Sequence, residues 1–148
     1  MRFLSSFVNL VILQGILSTM IQRELEKYLM DAANILRGMI DAADFKQYIF
    51  PLLFFKRISD VWDEEFKAAL AESDRDLDYA KFRENHRFQI PDGFHWDDVR
   101  KVSVDVGLAL HTALRGIEKA NFEQLHDVFG DAQWTNKRRM SDEKMLDL

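Results

Sequence analysis

Residues 45–70, FKQYIFPLLFFKRISDVWDEEFKAAL, decide the fold. Phe45, Ile49, Leu52, Phe55, Ile58, Trp62, Phe66 and Leu70 recur mostly at steps of three and four, which is one face of an α-helix. Residues 48–55 within it are apolar without a break. Such a run is far short of the roughly 20 residues that cross a bilayer. A helix apolar on all sides has to be surrounded by other helices, so this stretch is predicted to be the central helix of a bundle. Asp44-Phe45-Lys46-Gln47 reads as a capping-box-like start. There the carboxylate would satisfy orphan backbone N–H groups and Gln47 would reach back. Pro51 removes one backbone donor and predicts a kink, or a join between two helices. Lys56 and Arg57 end the apolar run, and Asp60, Asp63, Glu64 and Glu65 make the far half acidic.

Working outward, Leu25, Tyr28, Leu29, Ala32, Leu36, Met39 and Ala43 form an earlier helical stripe, with Glu24, Lys27, Asp31 and Asn34 off it and Gly38 inside it. Before that, residues 3–17 (FLSSFVNLVILQGIL) carry no charge after Arg2. Three readings stand for residues 1–19: a short secretory-type leader with a poor cleavage end, an N-terminal extension packed on the core, or sequence ahead of a natural start at Met20. On the other side, residues 71–77 form a polar linker and residues 79–87 a short helix of mixed charge. Phe88-Gln89-Ile90-Pro91-Asp92-Gly93 is a loop. A third long helix is expected over residues 102–120, with Val106, Leu110, Ala113, Leu114 and Ile117 on one face, and Asn121 ends or restarts it. Phe122, Leu125, Val128 and Phe129 make a last stripe closed by Gly130. Residues 131–140 are polar, and Ser141 caps a final helix. No two-residue alternation persists, so the expected fold is all-α, a compact multi-helix bundle.

The chain has 148 residues and a formal charge of −5. That length suits one domain, expected over residues 20–148. There is no cysteine, which excludes disulfides, thiolate metal sites and a cysteine nucleophile. The acidic balance argues against nucleic-acid binding driven by bulk charge. The six glycines form no GxGxxG or phosphate loop, and the four histidines show no HxxxH or HxH spacing. His95 beside Asp97 and Asp98 is read as a solvated helix start rather than a metal site. Ser59 is read as a hydroxyl on the helix surface rather than a nucleophile. Adjacent carboxylates such as Glu64-Glu65 point in different directions on a helix. The expectation is no catalytic residue, no metal and no cofactor in this chain.

Two basic clusters remain. Lys137-Arg138-Arg139, with Trp134 and Asn136 nearby, could meet a phosphate backbone with an aromatic alongside, and Lys56-Arg57 could do likewise. The alternative for each is a solvated loop or helix flank.

Asp31-Ala32-Ala33, Leu36-Arg37-Gly38, Phe45-Lys46 and Leu52-Leu53-Phe54-Phe55-Lys56-Arg57-Ile58-Ser59-Asp60 occur in that order. They are followed by Ile90-Pro91, Trp96, Val106-Gly107-Leu108-Ala109-Leu110, Ile117-Glu118-Lys119-Ala120-Asn121 and the stretch 125–129. This series resembles the N-terminal helical domain of the methylation subunit of type I restriction–modification systems, over roughly residues 20–148. Met30 stands where many relatives carry tryptophan, and Pro51 where glycine is common. The resemblance implies a parent that transfers a methyl group from S-adenosylmethionine to the exocyclic amine of adenine in DNA, using a separate α/β domain. That domain carries a glycine-rich motif and an Asn-Pro-Pro-aromatic motif. Neither motif is present here, since Pro51 and Pro91 are not adjacent and no Gly-x-Gly exists. The implied role of this chain is therefore assembly and DNA engagement, not catalysis. The implied partners are a specificity subunit, a second methylation subunit and double-stranded DNA, with the restriction subunit as a further candidate; no membrane is implied, and the location is cytoplasmic. The candidate DNA contacts are Lys137, Arg138 and Arg139, then Lys56 and Arg57. The alternative is a free-standing helical adaptor with no DNA role.

Overall fold

A computed structural model describes residues 22–38, 40–41 and 44–148. The leader (residues 1–19) and the Met39 and Ala43 positions of the first stripe lie outside the described residues. Among those residues there are seven α-helices, one 3-10 turn and no strand, as an all-α bundle requires. The helices are α1 (Gln22–Leu36), α2 (Phe45–Glu72), α3 (Leu77–Ala80), α4 (Trp96–Arg100), α5 (Val106–Ala120), α6 (Phe122–Leu125) and α7 (Asp142–Asp147); the 3-10 turn is Arg83–Asn85.

The central helix forms where residues 45–70 place it, but its start and its proline differ from expectation. Asp44 has a helical backbone (φ −90°, ψ −11°) and its side chain makes no cap bond. A capping carboxylate needs an extended backbone to turn back onto the first N–H groups, so the capping box does not form. Pro51 marks no join, because α2 runs through it for 28 residues. The proline lies in the second turn and frees only the carbonyl of Gln47, an exposed residue whose oxygen water can reach. Tyr48, Ile49, Pro51, Leu52, Phe54 and Phe55 are all buried, but Phe50 is 38% exposed, so the apolar run is covered on most of its circumference and not, as expected, on all sides; Asp63 and Glu64 further along face solvent.

The first helix stops earlier than its stripe suggests. It ends at Leu36, and Gly38 adopts φ +83°, a left-handed conformation that suits glycine and terminates helices. Beyond α2, the helix expected over residues 79–87 is replaced by α3 and the 3-10 turn. Asp76 caps α3, its Oδ1 accepting from the Asp78 and Tyr79 N–H groups at 2.9 and 3.0 Å. The helical backbone stops at Phe82 (φ −59°, ψ 138°), and side chains cover the carbonyls left at its end: Asn85 Nδ2 donates to Tyr79 O, and His86 Nε2 bonds Ala80 O at 2.8 Å. The third long helix begins at Val106, not 102, since Asp105 is left-handed (φ 54°). Its buried face is the expected one: Val106, Leu110, Ala113, Leu114 and Ile117.

One core joins all of this, from Ala32 and Leu36 on α1 through Phe55 and Ile58 on α2 to Ile117 on α5 and Met145 on α7. Trp134 is its keystone outside the helices. Its ring meets Tyr48 edge-on at 5.0 Å, and its carbonyl lies where a side chain on Gly107 would begin. The last stripe forms only in part: Leu125 and Phe129 are buried, but Phe122 is 62% exposed. α6 is only four residues long, and Asp127 turns the chain with φ 57°. Ser141 does cap the final helix, accepting from Lys144 N–H at 3.4 Å.

Candidate functional site

The two basic clusters have different surroundings. Lys56 bonds Asp60 one turn on, and Arg57 reaches Glu64 at 3.2 Å. Lys56 also edges an open hollow lined by Ser59, Asp60, Trp62, Asp63, His95, Asp97 and Asp98, which is rich in carboxylates. That local field disfavours a phosphate. Ser59 is not a surface hydroxyl: it is 2% exposed, and its Oγ accepts from Trp96 N–H at 3.1 Å, fixing the start of α4 on α2. Asp98 accepts from His95 N–H at 3.3 Å, which is the helix-start role expected for that acidic pair.

The run 137–139 divides. Lys137 donates to the Asp105 carboxylate and approaches Asp142 Oδ2 at 3.4 Å. The hydrogen bond with Asp105 holds the Lys137 ammonium above its ordinary range, against a smaller opposing effect of desolvation. Desolvation works upward on Asp142, but backbone N–H bonds from Asp105 and Val106, together with Lys137, hold its carboxyl below the usual range. Arg138 and Arg139 are exposed, and among the described residues neither side chain has an ion-pair or hydrogen-bond partner. Asn136 shapes their backbone: its Oδ1 accepts from Arg138 N–H at 3.2 Å, and its carbonyl accepts from Arg139 N–H at 3.0 Å. The aromatic expected alongside is not available. Trp134 is 3% exposed and packed against Tyr48, so it cannot stack on a base.

Two constellations have no simple signature in the sequence. Asp105, Lys137 and Asp142 meet across 32 and 37 residues of chain, a spacing that no local pattern encodes. His86 is buried and stacked on Trp62, with ring centroids 4.4 Å apart and 8° between planes. Its Nδ1 is buried without a hydrogen bond, 3.9 Å from Glu65 Oε2. Glu65 itself accepts from the Arg87 backbone N–H at 3.0 Å and side chain at 2.8 Å.

Gly107 is pressed against the Trp134 carbonyl and Gly116 against the Phe94 ring, so these two glycines serve close packing. The apolar hollow against the core, lined by Leu52, Phe55, Trp96 and Met145 among others, has a volume of about 30 Å³, room for a single water. No group of three or more potential metal ligands occurs among the described residues. Nor is any described helix long and apolar enough to cross a membrane.

A family model described as "HsdM N-terminal domain" matches residues 25–147. No curated protein matches the chain.

Proposed function

The chain belongs to the HsdM N-terminal domain family, and on that premise we propose that it is the assembly and DNA-engagement module of a type I restriction–modification adenine-N6 DNA methyltransferase subunit. The family match over residues 25–147 is the observation that carries this reading. Transfer of a methyl group to a stacked base needs a flipped base and a bound methyl donor, and this reading assigns both, with S-adenosylmethionine, to a separate α/β domain of the parent. What the helical bundle contributes is rigid faces and cations. The proposed partners are the specificity subunit, a second methylation subunit and double-stranded DNA, with the restriction subunit as a further one, in the cytoplasm. Contacts to DNA are to phosphates rather than bases, and the run Lys137, Arg138 and Arg139 ranks first because the Arg138 and Arg139 side chains are exposed and unpaired among the described residues, while Lys137 is held by Asp105 and Asp142. Lys56 and Arg57 rank second, because both are paired and Lys56 edges the carboxylate-rich hollow, so among the described residues this cluster has no free cation.

The test is capture of the full chain by a specificity subunit, combined with DNA affinity of the captured complex with and without the chain. Capture with a gain in DNA affinity supports the reading. Capture without any gain leaves the adaptor role and removes the DNA one, and failure of capture removes the assembly role.

A further inference from the structure

α5 begins at Val106, and its first backbone N–H groups need acceptors from outside the helix. The residue before it, Asp105, is left-handed and offers its own helix no side-chain bond. The acceptor comes from far along the chain. Asp142 Oδ1 accepts from Val106 N–H at 3.0 Å, and Oδ2 accepts from Asp105 N–H at 3.1 Å. Asp142 is also the first residue of α7, so its carboxylate ties the start of α7 to the start of α5. Lys137 lies between the Asp105 and Asp142 carboxylates, which would otherwise repel each other. The link from Lys137 to Asp142 contains Arg138, Arg139, Met140 and Ser141, and Met140 is fully buried. The two arginines thus sit on a short span pinned at Lys137, Met140 and Asp142.

We infer that Lys137 is a positioning residue: with Asp142 it latches residues 137–148 onto the start of α5 and so presents Arg138 and Arg139 as the phosphate-binding pair. The inference rests on the DNA-engagement reading for its ligand, and on the geometry alone for the latch. Lys137 would have to leave both carboxylates to reach a phosphate, whereas the two guanidiniums are free, and each can offer a forked pair of donors to phosphate oxygens.

Four forms of the full chain test this: wild type, Lys137→Met, Asp142→Ala and the double variant Arg138→Gln/Arg139→Gln. Amide hydrogen exchange across α5 and α7 is read together with the affinity for a mixed-sequence DNA duplex over a range of KCl concentrations. Lys137→Met and Asp142→Ala are expected to lose protection at Val106 and along α7. Both should weaken DNA binding with little change in the salt slope, although one removes a positive and the other a negative charge. The double arginine variant is expected to keep wild-type protection and to lower the slope by about two. If Lys137→Met weakens binding with a slope loss of about one while Asp142→Ala strengthens it, Lys137 is a contact and the inference fails. Unchanged protection in both single variants also overturns it. A wild-type chain that binds no duplex even at low salt removes the DNA reading and the contact role of the arginines, and the exchange data then decide the latch separately.

Discussion

At the scale of residues, several side chains are fixed by what they touch rather than by their type. A Cβ added to Gly107 would meet the Trp134 carbonyl oxygen at 2.0 Å, which is backbone and cannot step aside. A Cβ on Gly116 would meet the Phe94 ring edge at 2.3 Å, which is a half-buried side chain able to turn. Gly107→Ala is therefore expected to destabilise by about 3 kcal/mol and Gly116→Ala by about 1 kcal/mol, read from chemical denaturation midpoints; equal losses would count against this account. His86 is a different case. A carbonyl can only accept, so the His86 Nε2 that bonds Ala80 O carries a proton. His86→Ala removes that bond and the stack on Trp62, and is expected to cost about 2 kcal/mol. An equilibrium unfolding curve superimposable on wild type would show that the stack contributes nothing.

At the scale of elements, the C-terminal latch has a definite pH signature. Asp142 is held below its ordinary value of 3.8 in the fold. A lowered carboxyl contributes stability that is complete above 3.8 and is lost as pH falls through its lower folded value. Lys137 is held above 10.5, so its contribution is complete below 10.5 and is lost as pH rises through the higher folded value. The difference in Tm between wild type and Asp142→Ala is accordingly expected to be constant through neutral pH and to shrink in acid; a difference that grew as the pH fell would reverse the assignment. Elements also mark where sequence reading stopped. The buried face of α2 and the buried stripe of α5 were legible because burial follows a 3.6-residue period. The boundaries were not, because they depend on single backbone or side-chain events. Gly38 at φ +83° and Asp105 at φ 54° each end or delay a helix whose apolar pattern continues past them. The break after α3 comes with the extended backbone at Phe82, its freed carbonyls covered by Asn85 and His86, which no apolar pattern records.

At the scale of the whole molecule, the basic run 137–139 was legible as charge, but its division was not, since Lys137 finds its partner 32 residues upstream. Trp134 stands near the basic run in sequence and is expected alongside it at a phosphate backbone, yet three-dimensional packing makes it core. The same packing predicts how the molecule unfolds. A single set of contacting side chains includes residues of α1, α2, α5 and α7, so no helix has a core of its own to fall back on. Phe55 is fully buried and meets the Trp96 ring edge-on at 5.3 Å. Phe55→Ala leaves a cavity, beside the hollow it already lines, and should cost about 4 kcal/mol. For a chain of this size that is a fall in Tm of roughly 10 °C. If the core is one cooperative unit, tryptophan fluorescence, which reports Trp62, Trp96 and Trp134, and far-ultraviolet ellipticity, which reports all helices, should move by the same amount and stay superimposed. A fluorescence transition that drops while ellipticity keeps its wild-type midpoint would mean that α1 or α7 folds apart from the rest, and the single-core description would then be wrong.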